Sequence, residues 1–273
     1  MDFIEILKAI LFGIVEGITE WLPISSTGHM IILDELAKLN VSDAFREMFL
    51  VVIQLGAILA VVVLYFKKLC PFSTKEKFFI KKDTFGMWFK ILAACIPAAI
   101  VGVFFDDKIN ELFYNYQTVA AMLIIFGVLF IVIENYNKGR KPVMNSIAEI
   151  TWKAAIGVGL FQLIAAVFPG TSRSGATILG GILLGMSRTT AAEFTFFLAV
   201  PVMAGASLLK LVKFGLAFSA SEAVILIVGM VVAFVVSIIV IKFLLNYIRR
   251  NDFKAFGWYR IVLGVLVILF FSL

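Results

Sequence analysis

The sequence predicts an all-α integral membrane protein with six transmembrane helices and two re-entrant helix pairs, arranged as an inverted-topology repeat. Three observations support this prediction: the composition, the lengths of the apolar runs and the placement of basic residues. Of the 273 residues, 62% are apolar and 15% are charged, whereas a soluble domain averages about 45–50% apolar and about 25% charged residues. The mean hydropathy is +1.05. This composition excludes a soluble enzyme, a disordered chain and a fibrous protein.

Six apolar runs are long enough to cross a bilayer, which takes about 20 apolar residues in a helix. In chain order they cover about 48–66, 87–105, 116–133, 194–209, 223–241 and 256–273. The connections between them are short, so no large soluble domain fits in what remains. We therefore expect residues 1–273 to form a single integral membrane domain.

Two further apolar regions, about 3–33 and 154–186, are each interrupted in the middle. The first break reads WLPISSTGH at Trp21–His29, and the second break reads FPGTSRSGAT at Phe168–Thr177. Each half of a broken region is only about 10–16 residues long, which suits a re-entrant segment better than a full crossing. Irregular backbone at membrane depth is tolerated only where protein or a wet cavity surrounds it. The pattern therefore predicts two re-entrant helix pairs.

Basic residues are distributed unevenly over the predicted loops. If the loop 67–86 is cytoplasmic, alternation puts fifteen Lys and Arg residues inside and five at or near the outside. The inside set is Lys67, Lys68, Lys75, Lys77, Lys81, Lys82, Lys138, Arg140, Lys141, Lys153, Arg188, Lys242, Arg249, Arg250 and Lys254, and the outside set is Lys38, Arg46, Lys108, Lys210 and Lys213. This asymmetry follows the positive-inside rule if each broken region enters and leaves on one side, the first from outside and the second from inside. Both termini are then outside.

The same topology implies an internal repeat with halves of about 1–136 and 150–273. Each half consists of one broken region and three spans, and an odd number of spans inverts the second half relative to the first. At an offset of 146 residues, Gly13–Glu16 aligns with Gly159–Gln162, Pro23 with Pro169, and Ser26 with Ser172. Inverted repeats with interrupted helices place a polar site near the bilayer midplane, at the repeat interface.

The net charge of +6 does not indicate nucleic-acid binding. That function requires a Lys/Arg patch interleaved with exposed aromatic residues, whereas the basic residues here lie mostly between apolar runs. The two cysteines, Cys70 in a lysine-rich loop and Cys95 inside an apolar run, indicate no disulfide framework. We expect membrane lipid and no nucleic acid as partners, and no pattern indicates an oligomeric state.

Glu16 and Glu20 are four residues apart, so they share one face of a helix. A charge at the bilayer centre costs about 2.5–3.5 kcal/mol on insertion scales, and two on one turn require a cation or a polar cavity. The pair is therefore a candidate ligand set for a divalent metal, or one carboxylate acts as a base. The alternative is a helix at the membrane interface with both carboxylates in water.

Ser25, Ser26, Thr27 and His29 follow directly after these carboxylates. Pro23 ends the first helix, and the hydroxyl residues are suited to cap a second helix, whose free N–H groups attract an anion. His29 is the only histidine in the chain. A lone histidine often serves only for packing, but its place beside two carboxylates and three hydroxyls favours a general acid, general base or nucleophile.

The second break repeats this design with the opposite charge. Ser172, Ser174 and Thr177 supply hydroxyls, and Gly170 and Gly175 permit close backbone approach. Arg173 supplies a fixed cation whose planar fork suits phosphate. The alternative is that Arg173 pairs with a buried carboxylate such as Glu16 or Glu193.

If the two breaks meet, one pocket contains carboxylates, hydroxyls, an imidazole and an arginine. That set suits phosphoryl chemistry, in which a metal and an arginine neutralise phosphate oxygens while a hydroxyl, histidine or water attacks. The apolar surroundings suit a substrate with a long lipid tail.

At these residues the sequence resembles a known family. EGITEWLPISSTGH at Glu16–His29 and PGTSRSGATILGG at Pro169–Gly181 closely resemble the two signature regions of the undecaprenyl-diphosphate phosphatases, the bacitracin-resistance protein family. The likeness includes Phe45–Val63 and Ala191–Ser207 and covers, in effect, the whole chain. It implies a bacterial plasma-membrane enzyme with six spans and two re-entrant regions. Such an enzyme uses a divalent cation to hydrolyse undecaprenyl diphosphate to the monophosphate, and so recycles the lipid carrier of peptidoglycan synthesis.

The resemblance and the residue types together assign roles to individual residues. We expect catalytic roles for Glu20, Ser26, His29 and Arg173, and metal ligation by Glu16 and Glu20, with Mg²⁺ or Ca²⁺ as the cation. Substrate contacts are expected from Ser25, Thr27, Gly170, Ser172, Ser174 and Thr177. The nucleophile is Ser26, His29 or a metal-bound water. Because the acidic break enters from outside, the site is expected to face the outer side of the plasma membrane.

Two other functions fit parts of the pattern. A secondary transporter or lipid flippase shares the inverted-repeat architecture and would use Arg173 as an anion site, but it does not explain why Glu16, Glu20 and His29 cluster. A metal-independent lipid phosphatase that acts through a phosphohistidine would not explain the presence of the two carboxylates, Glu16 and Glu20.

Overall fold

The computed structural model describes residues 3–73, 81–215 and 218–272, and no β-strand occurs in these ranges. Lys75 and Lys77, which contribute to the predicted inside charge, lie outside the described residues. The helices are α1 Phe3–Thr19, α2 Ser26–Leu36, α3 Asp43–Val52, α4 Gln54–Leu64, α5 Phe66–Leu69, α6 Lys82–Phe113, α7 Tyr116–Tyr136, α8 Trp152–Val167, α9 Arg173–Leu183, α10 Arg188–Phe214, α11 Ala220–Ile248 and α12 Lys254–Ser272, with a short 3₁₀ helix at Ile147–Glu149.

Six helical segments in the described ranges are long and apolar enough to cross a membrane, which confirms the predicted number. They are Asp43–Leu64, Lys82–Phe113, Tyr116–Tyr136, Arg188–Phe214, Ala220–Ile248 and Lys254–Ser272. The first joins α3 and α4, since Ile53 between them keeps helical angles (φ −58°, ψ −23°). The largest difference from the predicted bounds is α6, whose 32 residues span roughly 48 Å at 1.5 Å per residue. Polar residues such as Asp106 continue this helix beyond its apolar run.

Each broken region contains two short helices joined by a turn. The first has α1, with 17 residues, and α2, with 11; the second has α8, with 16, and α9, with 11. Pro23 and Pro169 lie in the turns, where the missing N–H of proline does not interrupt a helical hydrogen bond. None of the four helices is among the six candidate spans.

The two broken regions are packed against spans from the opposite half of the chain. The helix α1 lies against α11, and α8 lies against α6. Glycine allows close approach in both places: a Cβ at Gly13 would lie 2.6 Å from the carbonyl oxygen of Gly229, and one at Gly159 would lie 2.5 Å from that of Ala94. The first turn is anchored by the buried Trp21, which meets Phe196 edge to face at 5.4 Å between ring centroids. These contacts bring both turns into the middle of the molecule.

The outward faces of the spans remain apolar. Exposed large side chains include Phe89, Ile96 and Phe104 on α6, Ile125 and Val132 on α7, Val231 and Ile239 on α11, and Val262 and Leu269 on α12. Apolar surface of this extent marks contact with a membrane or a partner, and on helices of spanning length it indicates contact with lipid.

Candidate active site

Ser25 and Ser172 give the two turns the same backbone geometry. With φ of 74° and 68°, they are the only residues other than glycine with a positive φ in the described part of the chain. Each caps the helix that follows: Ser25 Oγ accepts the N–H of Gly28 at 3.2 Å, and Ser172 Oγ accepts that of Gly175 at 3.1 Å. Strained conformations of this kind cost about 1–3 kcal/mol each and cluster at functional sites.

This geometry corrects the predicted correspondence between the breaks. Ser172 corresponds to Ser25 in its capping role, whereas the constant offset of 146 residues had paired Ser172 with Ser26. The reason is one additional residue between the proline and the cap in the second break. Consequently Ser26 and Arg173 occupy equivalent positions, each as the first residue of its helix.

Glu20, Ser26 and Arg173 meet at one point between the two turns. Glu20 Oε1 accepts from Arg173 Nη2 at 2.9 Å and from Nε at 3.3 Å, and Glu20 Oε2 accepts from Ser26 Oγ at 2.8 Å. The Arg173 and Glu20 side chains are only 12% and 8% exposed. The structure therefore joins three of the four predicted catalytic residues across 153 positions of sequence.

Arg173 thus pairs with a carboxylate, but not with Glu16 or Glu193, the two candidates considered from the sequence. Its partner is Glu20, while Glu193 binds Lys68 at 3.0 Å. The remaining Nη1 of Arg173 donates to the carbonyl of Thr195 at 3.1 Å. Removing one member of such a buried pair strands the other, at a cost of about 3–5 kcal/mol. The thermal stability and the turnover of Arg173 variants therefore have to be measured separately.

A cavity of about 510 Å³ opens from this point. Its polar end is lined by Glu20, Ser26, Thr27, Gly170, Ser172 and Arg173. Its walls are mostly apolar, with Val51, Ala98, Ala99, Val103, Ala165, Ala166, Pro201, Val202 and Met203, and Asp106 and Lys210 also line it. The cavity therefore offers a charged end for a head group and apolar walls for a hydrocarbon chain.

Glu16 lies behind Glu20 at the end of α1. It is 1% exposed and its Oε1 has no hydrogen-bond partner, while its carbonyl accepts the N–H of Glu20 at 3.0 Å. No cluster of three or more His, Cys, Asp or Glu side chains suited to a metal occurs in the described residues. Mg²⁺ in phosphoryl-transfer sites uses one or two carboxylates and completes its shell with water and substrate phosphate, whereas Ca²⁺ takes 6–8 oxygens. Glu16 is not among the residues that line the cavity, and both carboxylate oxygens of Glu20 already accept from Arg173 and Ser26. Two carboxylates suit Mg²⁺ shared with water and phosphate better than Ca²⁺, and metal ligation by Glu16 and Glu20 stays a prediction.

His29 makes two hydrogen bonds within the protein. Nδ1 lies 2.7 Å from the carbonyl of Ser25, and Nε2 lies 2.7 Å from the hydroxyl of Tyr259, whose ring is nearly parallel to the imidazole at 5.7 Å between centroids. Because a carbonyl only accepts, Nδ1 carries a proton, and in the neutral imidazole Nε2 then accepts from the Tyr259 hydroxyl. His29 is not part of the lining of the cavity described above, so this geometry supports it as an anchor of the Ser25 turn. Its catalytic role stays a prediction.

Ser174 and Thr177 bind protein groups. Ser174 Oγ donates to the carbonyl of Leu22 at 3.3 Å, which ties the second break to the first. Thr177 Oγ1 donates to the carbonyl of Arg173 at 2.8 Å and accepts from Thr195 Oγ1 at 2.8 Å. Both residues and Ser25 are buried and lie outside the cavity lining, whereas Thr27, Gly170 and Ser172 line the cavity. Direct substrate contact by these three buried residues also stays a prediction.

Arg260 is the residue that the sequence analysis missed. It lies on α12, is fully buried, and binds the backbone of both turns: Nη1 donates to Pro23 at 3.3 Å, and Nη2 donates to Gly170 at 3.0 Å and Thr171 at 2.7 Å. Within the run 256–273 it is the only charged residue. An ionisable residue inside an apolar span is by default a candidate for function, and this signal would have revealed it.

The fold and this site define a class: a multi-pass membrane protein with a buried constellation of carboxylate, hydroxyl and guanidinium at the end of an apolar cavity. A family model described as Bacitracin resistance protein BacA matches residues 9–266, and the chain belongs to this family.

Among its relatives, an Undecaprenyl-diphosphatase of Desulfitobacterium hafniense is 68% identical over 272 residues, covering 100% of this chain and 98% of that protein. An Undecaprenyl-diphosphatase 1 of Clostridium acetobutylicum is 67% identical, with 99% of each chain covered. An Undecaprenyl-diphosphatase of Enterococcus faecalis is 60% identical, with 98% of each chain covered.

Arg260→Lys is expected to destabilise the protein strongly. Lysine keeps the charge but lacks the fork that reaches the carbonyls of both turns, and each buried carbonyl left unpaired costs about 1–3 kcal/mol. Thermal unfolding in detergent should show a clear fall in Tm. The matched control is Arg250→Lys in an exposed turn. Equal Tm values for the two variants would contradict the role of Arg260 in holding the two turns together.

Proposed function

We propose that this chain hydrolyses undecaprenyl diphosphate to undecaprenyl phosphate and inorganic phosphate. It thereby recycles the lipid carrier for peptidoglycan synthesis and confers resistance to bacitracin. The observation that carries the proposal is the junction of Arg173, Glu20 and Ser26 at the polar end of an apolar cavity. Family membership and the names of the relatives support hydrolysis over the transporter considered from the sequence.

In this proposal Arg173 binds the terminal phosphate and Ser26 attacks it. The guanidinium exchanges Glu20 for phosphate oxygens, which carry more charge as the transition state forms. The hydroxyl of Ser26 already points at Glu20 Oε2, 2.8 Å away, and a nucleophile within hydrogen-bond reach of its base is the signature of covalent catalysis. Ser26 Oγ forms a bond to phosphorus while the bond to the bridging oxygen breaks. Glu20 takes the hydroxyl proton, and undecaprenyl phosphate leaves.

Water completes the reaction by hydrolysing the phosphoserine. Water attacks phosphorus, the bond between phosphorus and Ser26 Oγ breaks, and Glu20 returns its proton to Oγ. The protons of the water stay on the inorganic phosphate, which leaves from the Arg173 side. A divalent cation, for which Mg²⁺ is the better fit, would be held by Glu16 and Glu20 and would neutralise phosphate charge. The lipid tail would lie along the apolar walls of the cavity.

We also propose the predicted topology: two re-entrant pairs, α1–α2 and α8–α9, in an inverted repeat. The exchanged packing of α1 on α11 and α8 on α6, the glycines Gly13 and Gly159, and the matching caps support it. With the positive-inside orientation, the end of the cavity lined by Asp106 and Lys210 opens to the outer side of the bacterial plasma membrane.

Phosphate release by the purified protein tests this function. In detergent with undecaprenyl diphosphate, the wild type should release phosphate and a chelator should stop it. Glu20→Gln and Glu16→Gln should each lose most of the turnover per folded molecule, because the base and the metal charge are lost. Glu20→Gln also leaves the buried Arg173 unpaired, so its thermal stability should fall. Binding of the lipid without phosphate release would instead indicate a transporter. Full activity and metal dependence in Glu20→Gln would contradict the role of that carboxylate.

Arg173→Lys is expected to lose turnover by roughly 100-fold or more, in line with the removal of other electrostatic stabilisers. Arg173→Ala should lose at least as much, but it also strands Glu20 and lowers stability. The double variant Arg173→Ala/Glu20→Gln separates the two effects, since it removes both charges of this ion pair. It should recover thermal stability and remain inactive. Normal turnover per folded molecule in Arg173→Lys would contradict phosphate binding.

A further inference from the structure

Gln162 lines the cavity and has no hydrogen-bond partner on either end of its amide. The residue lies on α8 and is 2% exposed, and neither Oε1 nor Nε2 is bonded. An amide can donate two hydrogen bonds and accept two. A buried polar group left unsatisfied costs about 1–3 kcal/mol, so each such group calls for a physical explanation.

The packing of α8 determines where Gln162 lies. One turn earlier, Gly159 brings α8 against Ala94 of α6, and the next residue of α6, Cys95, lines the same cavity. The helix α1 repeats this arrangement: Gly13 brings it against α11, and Glu16 follows one turn later. Both helices therefore hold one buried polar side chain at the same distance after a close glycine contact.

The two side chains differ in charge, and the difference matches their surroundings. Glu16 is adjacent to Glu20 in the acidic half, where a carboxylate suits a cation. Gln162 shares a cavity lining with Arg173 and Ser172, in the half that suits an anion. An amide there adds N–H donors without adding negative charge, whereas a carboxylate would repel a diphosphate.

We propose that Gln162 is a substrate-binding residue whose Nε2 donates to phosphoryl oxygens of the lipid diphosphate, next to the oxygens that Arg173 binds. This inference rests on the proposed hydrolysis for its substrate. The cost of the unpartnered amide is then recovered when the diphosphate is bound. An apolar residue of the same size would pack equally well but would not recognise phosphate.

Steady-state kinetics and thermal unfolding of Gln162→Met, Gln162→Glu and the control Gln117→Met test this role. Gln117 is exposed on α7, outside the cavity lining. Gln162→Met should raise KM on the order of 10-fold to 100-fold, the range for hydrogen bonds to a charged group, with Tm unchanged or higher. Gln162→Glu should raise KM further. Gln117→Met should match the wild type in both measurements.

The stability readout separates binding from a structural role. If Gln162→Met has a normal KM, or loses Tm while its folded fraction keeps a normal KM, the amide serves the fold and the inference is overturned. Binding of inorganic pyrophosphate, measured by calorimetry on the same variants, gives a readout without turnover. Absence of turnover in the wild type contradicts the proposed function. Equal pyrophosphate binding by wild type and Gln162→Met contradicts the inference about Gln162 alone.

Discussion

The buried guanidinium of Arg260 is the constraint on which the rest of the site depends. A charge without solvent is tolerated only where it is hydrogen-bonded, and the partners here are backbone carbonyls from both turns. The carbonyls of the two turns lie outside the helices and accept from the Nη atoms of Arg260, while its Nε has no hydrogen-bond partner. The two interruptions, 146 residues apart in sequence, are thereby fixed against each other and against α12.

Because the two turns are held together, the charged groups of the site are also brought together. Ser25 and Ser172 cap α2 and α9, so that Ser26 and Arg173 come first on their helices and both reach Glu20. The site is preorganised by protein contacts, which reduces the reorganisation needed as charge develops on a bound phosphate. The same contacts tie Glu20 to Arg173, so binding of a phosphate has to compete with an existing ion pair.

Local features of this protein could be predicted from sequence, and long-range ones could not. Apolar length predicted the six spans, and the residues after Pro23 and Pro169 predicted the caps, because both depend on neighbouring residues. The pairing of Arg173 with Glu20 depends on packing across 153 positions, and several carboxylates were available to it. The constant offset paired Ser172 with Ser26, although Ser172 corresponds to Ser25, because the second turn contains one more residue before its cap. The partners of Arg260 could not be predicted because they are carbonyls, which every residue has, although its place as the only charge in the run 256–273 marked it as a candidate.

The proposed hydrolysis depends on the binding of a diphosphate at the junction of the two turns. A structure determined with Mg²⁺ and a methylene-diphosphonate analogue of the lipid tests it most directly. In that structure phosphonate oxygens should lie within hydrogen-bond distance of the Arg173 guanidinium and the Ser26 hydroxyl, with the lipid chain along the apolar walls of the cavity. A diphosphonate bound elsewhere, with the contact between Arg173 and Glu20 unchanged, would contradict it.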